Sequence, residues 1–95
     1  MYAVVRTYTG PGAKQLFDIL DVRKEELETA LQRVPGLMSY TLLRSEAGGI
    51  SITVCREKAG ADESVRVAKD WIERNATGVS THSPELSEGA VIIHI

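Results

Sequence analysis

The chain has 95 residues, 43% of them hydrophobic and 25% charged, which fits one globular domain and excludes a disordered or fibrous chain. Eleven Lys and Arg stand against thirteen Asp and Glu, for a net charge of −2. There is no basic surplus of the kind a nucleic-acid module carries, and the one basic pair, Arg23-Lys24, is followed by Glu25-Glu26.

Cys55 is the single cysteine, so an internal disulfide and the paired-cysteine zinc sites are excluded. Met1 to Arg6 has no basic region followed by a long apolar run, so no signal peptide is expected. No stretch approaches the ~20 apolar residues of a membrane span. Residence in the cytoplasm is the default expectation, with neither membrane nor nucleic acid as a partner.

In chain order, Tyr2–Thr9 is rich in Val, Thr and Tyr and reads as a strand, stopped by Gly10-Pro11-Gly12. From Ala13 the period lengthens. Leu16, Phe17, Leu20, Leu27, Leu31 and Val34 recur at helical steps, predicting one helix that Pro35-Gly36 ends. Arg23 and Lys24 interrupt its apolar line and mark a bend, a cavity mouth or stems snorkelling over the sheet edge.

Leu37–Ser45 and Ile50–Glu57 predict a hairpin around Glu46-Ala47-Gly48-Gly49. In its second strand, Ile50, Ile52 and Val54 alternate with Ser51, Thr53 and Cys55, which assigns the first set to the helices and the second to the opposite face. Asp62 caps a second helix carrying Val65, Ala68, Trp71, Ile72 and Ala76, with Gly78 as its stop. Thr81 to Pro84 is a loop by composition, which puts His82 at the surface, and Ala90–Ile95 is the last strand.

The order β-α-β-β-α-β predicts a ferredoxin-like α+β domain spanning 1–95: a four-stranded antiparallel sheet with both helices on one face. Right-handed crossovers place strands one and three in the centre, with four and two at the edges. The other sheet face stays bare in a lone chain, so a homodimer is expected.

Val34-Pro35-Gly36-Leu37-Met38-Ser39-Tyr40, the Gly48-Gly49 hairpin and the Trp71-Ile72 pair resemble the dimeric α/β-barrel superfamily, which includes antibiotic-biosynthesis-monooxygenase-like domains. The nearest likeness is to small bacterial proteins of this kind. Similarity of fold implies no single reaction, because such barrels include cofactor-independent oxygenases, haem-degrading enzymes, lyases and isomerases. The haem-degrading branch uses an Asn on the first strand with a Trp and a His. The first strand here offers Arg6 and Tyr8 and no Asn.

The alternation predicts a cluster of Arg6, Tyr8, Thr53, Cys55 and His94 lining a cavity on the non-helical face. There Arg6 pairs an anionic group and His94 serves as general base. The plain alternative is an interface face with a polar rim. Cys55 reads either as a nucleophile or as a small buried hydrophobe, and Trp71 with Asn75 either as a ligand grip or as core.

His82 and His94 lack ligand partners at i+3 or i+4, and Gly10-Pro11-Gly12 is not a phosphate loop, so no metal and no cofactor is expected. Three functions stay open. The leading one is a homodimer binding a small, anionic or aromatic molecule. The others are a cofactor-independent monooxygenase or isomerase-like enzyme, and an interaction protein with a packed barrel.

Overall fold

The computed structural model describes residues 1–81 and 83–95, so His82 lies outside the described residues. The elements run β1 (Tyr2–Tyr8), α1 (Ala13–Val22), α2 (Lys24–Leu31), β2 (Leu37–Ser45), β3 (Gly48–Cys55), α3 (Lys58–Asn75) and β4 (Glu85–Ala90). The strands form one antiparallel sheet in the order β2-β3-β1-β4. This is the α+β ferredoxin-like arrangement, with three helices in place of the expected two.

The third helix arises because the first helical stretch breaks at Arg23. Its backbone leaves the helix at φ −110°, ψ 24°, while its N–H still bonds the Ile19 carbonyl at 3.0 Å. Above the break Leu16, Phe17 and Leu20 are buried, and below it Leu27 and Leu31. The kink lets two short helices follow the twisted sheet, which one straight helix could not. The Arg23 guanidinium then lies 5.4 Å from the centre of the Trp71 ring, tying the break to α3. The last helix starts at Lys58 rather than Asp62, and Asp62 accepts an ion pair from Lys58 one turn earlier.

Residues directly opposite in an antiparallel ladder share a face. Tyr2, Val4, Arg6 and Tyr8 pair with Cys55, Thr53, Ser51 and Gly49. This set faces the helices. Tyr8 meets Phe17 edge-on at 5.7 Å, and a Cβ on Gly60 of α3 would sit 3.3 Å from that of Cys55. The expected assignment of faces is therefore inverted: Ile50, Ile52 and Val54 point away from the helices, together with Ala3, Val5, Thr41 and Leu43. Small residues line the covered side because the helices come close. A methyl group on Gly49 would overlap the Phe17 ring.

The expected final strand is corrected as well. Strand β4 is Glu85–Ala90, paired with β1 through Thr7↔Glu85 to Tyr2↔Ala90. Val91 still gives its N–H to the Met1 carbonyl at 3.0 Å, and the chain beyond it runs out exposed. Among the described residues no helix is long and apolar enough to cross a membrane.

Candidate functional site

Arg6 sits at the middle of β1, where pleating turns it under the helices, and only 3% of its surface is exposed. Its Nε donates to Ser51 Oγ at 3.1 Å and its Nη1 to Tyr8 Oη at 3.1 Å. Among the described residues no carboxylate pairs with it. Tyr40 reaches across from β2 toward Arg6 and Ser51, and its phenol feels both. The structure thus places a permanent positive charge in the interior among hydroxyl groups, with guanidinium donors to spare, since two of five N–H groups are taken. An isolated buried charge is costly, and the hydroxyl groups of Ser51 and Tyr8 offset that cost here.

Burial pushes the Tyr8 and Tyr40 phenols above their ordinary range, with Arg6 opposing it in both cases. Burial also pushes the Cys55 thiol up. Cys55 is fully buried with its sulfur toward Gly60, a setting that suits a small buried hydrophobe. Thr53 is buried on the same side, opposite Tyr40 and Val4.

Two clefts open beside this cluster. One of about 380 Å³ lies between α2 and β2, walled by Leu27, Leu31, Leu37, Tyr40 and Leu42 with Lys24 at its rim. The other, about 240 Å³, lies between α1 and β2 against Phe17, Leu20 and Arg44. Lys24 and Leu42 belong to both. Tyr40 lines the larger cleft, whereas Arg6, Tyr8, Ser51 and Thr53 line neither.

Arg6, Tyr8, Thr53 and Cys55 therefore share one face as their spacing implies, but it is the helix-covered face. His94 is not with them. It lies in the exposed segment after β4, past the end of the ladder that would have aimed it. Trp71 is core, 8% exposed, and its carbonyl accepts the Asn75 side-chain amide at 2.8 Å; the two line a cleft of about 370 Å³ between α2 and α3, apart from Arg6. Sequence reading missed Tyr40, Ser51 and the cleft beneath α2. The even positions Tyr40 and Leu42 opposite Thr53 and Ser51 were the available signal. Among the described residues no group of three His, Cys, Asp or Glu is placed to hold a metal ion.

No protein-family model matches the sequence, and no curated protein matches it either. Solved structures do match. A protein of unknown function from Nitrosomonas europaea superposes with a TM-score of 0.71 at 15% identity, over 99% of this chain and 90% of that one. A dimeric ferredoxin-like protein from an uncultured marine organism gives 0.65 at 16% identity, over 99% and 94%. A monooxygenase from Streptomyces coelicolor, in complex with the ligand nanaomycin D, gives 0.60 at 14% identity, over 98% and 91%. The chain thus has the fold of the antibiotic-biosynthesis-monooxygenase-like ferredoxin-fold proteins, some of which are of unknown function.

Proposed function

We propose that the protein is a homodimeric binder of a small anionic or aromatic molecule, held between α1–α2 and the sheet with its charged or oxygen-bearing end toward Arg6. The observation that carries this reading is the buried Arg6 guanidinium, bonded to hydroxyl groups and unmatched by a carboxylate among the described residues. The cleft volume is of the size small ligands occupy. Binding is favoured over turnover because the cluster offers donors and a fixed charge but no proton acceptor at neutral pH: its phenols and thiol are all pushed up.

The dimer part rests on the apolar uncovered sheet face and on the likeness to a dimeric ferredoxin-like protein. A cytoplasmic setting without nucleic acid or membrane suits the acidic balance and the lone reduced cysteine.

Benzoate and 1,4-naphthoquinone are suitable probes, one anionic and one neutral. Replacing Arg6 with Met keeps the volume and removes the charge. Benzoate binding is expected to weaken by about 1.5–3 kcal/mol, roughly ten- to a hundredfold in Kd by calorimetry. Equal benzoate affinity for both proteins would remove Arg6 from the site. A second reading, cofactor-independent oxygenation, is favoured by the likeness to the monooxygenase with nanaomycin D. Oxygen uptake with a dihydroxynaphthalene, abolished in the Arg6→Met protein, would select it over simple binding.

A further inference from the structure

Helix α2 has two flanks. Leu27 and Leu31 wall the cleft against β2, while Ala30, with Arg33 and Val34 just beyond the helix, lines the cleft of about 370 Å³ against α3. The two helices run antiparallel along it. Arg23, at the start of α2, lies over the Trp71 ring late in α3. Past the end of α2, the Pro35 carbonyl is 2.6 Å from where a Cβ on Gly60 would sit, early in α3. Arg33 therefore stands toward the Glu63 and Arg66 end of the cleft, and Arg74 and Asn75 at the other end.

The floor is apolar and the rim charged. Ala30, Val34, Val67 and Trp71 make the floor, and three guanidiniums face two carboxylates on the rim, in a chain whose net charge is −2. Both carboxylates are engaged along α3 itself. Glu63 holds Arg66 through two bonds, at 2.6 and 2.8 Å, and Asp70 lies 3.3 Å from Arg74 Nε. Arg33 pairs with no carboxylate among the described residues, and the terminal nitrogens of Arg74 make no hydrogen bond among them. Arg66 and Arg74 are roughly 12 Å apart along the α3 axis, with Arg33 at the Arg66 end. Asn75 adds an acceptor: its amide nitrogen donates to the Trp71 carbonyl, which leaves Oδ1 for an incoming N–H.

Cationic forks at both ends, an apolar strip between them and an acceptor for a backbone N–H together match a short acidic peptide. In an extended segment of five residues the end residues are roughly 13 Å apart, and the second and fourth side chains point to one side. We infer that the α2–α3 cleft is a recognition groove for an extended segment of a partner protein with Asp or Glu at both ends and apolar residues between. The acidic ends sit on Arg33 and Arg74, and the apolar side chains lie on Val34, Val67 and the edge of Trp71. Guanidinium forks match carboxylates through paired N–H bonds. The ion pairs on α3 are largely exposed and contribute little to folding, so Arg74 can exchange Asp70 for the peptide at small cost.

Trp71 is the only tryptophan, so its fluorescence reports on this groove. The full chain is titrated with the peptide acetyl-Glu-Leu-Ala-Leu-Glu-amide and with its Lys-ended counterpart, following emission and heat. The acidic peptide is expected to saturate, and the basic one to bind at least roughly tenfold more weakly. In an Arg33→Glu, Arg74→Glu double variant the preference is expected to reverse. Both positions are exposed, and a reversed preference requires a folded groove. Equal affinity for the two peptides, an unchanged preference in the double variant, or neither heat nor a saturable emission change at millimolar peptide overturns the groove.

Discussion

Arg6 sets the chemistry of its neighbours, and two phenols report on it. Tyr8 and Tyr40 are held above the ordinary phenol value of 10, mainly by burial, with the Arg6 charge acting against that rise. A group whose folded pKa is raised keeps its proton longer when folded, so its stabilisation is complete below the unfolded value near 10 and is lost as pH rises through the folded value. Stability should therefore decline on the alkaline side as these phenols are forced to ionise. Phenolate absorbance followed from pH 9 upward is expected to rise later in the native protein than in guanidinium. Arg6→Met should delay it further, because the charge that opposes the rise of both phenols is then gone. Coincident native and unfolded titrations would mean that the two phenols are open to water.

At the scale of elements, close contact between helix and sheet is concentrated at glycine. Gly49 on β3 lies under the Phe17 ring of α1, so Gly49→Ala is expected to destabilise by about 1–3 kcal/mol through overpacking. Gly89 on β4 has nothing within 4 Å of where its Cβ would be, and Gly89→Ala should be neutral or slightly stabilising. Chemical denaturation of the two variants checks the contrast, and equal midpoints would contradict it. The same contact explains what the sequence could and could not reveal. Strand order and the β2–β3 hairpin were legible, because turn chemistry and crossover handedness act locally or by topology, although the turn itself is Glu46-Ala47 and Gly48-Gly49 open β3. The face of β3 was not. Alternation divides Ile50, Ile52 and Val54 from Ser51, Thr53 and Cys55, but it does not say which side the helices take. Here the small side chains admit Phe17 and Gly60, and the large ones are left for the uncovered face. The β4 assignment failed for a related reason: Ala90–Ile95 has the stronger strand propensity, yet pairing with β1 falls to the polar run before it.

For the whole molecule, the sheet and α3 form the continuous body. Helix α3 spans eighteen residues and buries Ala61, Ser64, Ala68 and Trp71. Helix α2 is different. It has eight residues, buries only Leu27 and Leu31, and begins at the Arg23 break with no side-chain cap. An isolated helix of that length does not hold itself together in water, and its contacts are with the cleft it roofs and with α3. Its release would leave every strand ladder intact. The kink at Arg23 consequently separates the stability of the roof from that of the body. Local opening there should require far less free energy than global unfolding. Amide hydrogen exchange is expected to be fast across Lys24–Leu31 and slow along β1 and β3, with benzoate slowing the first set selectively. Uniform protection across both sets would show one cooperative unit. A roof that opens this way would also make the 380 Å³ of the resting cleft a lower bound on the space beneath it.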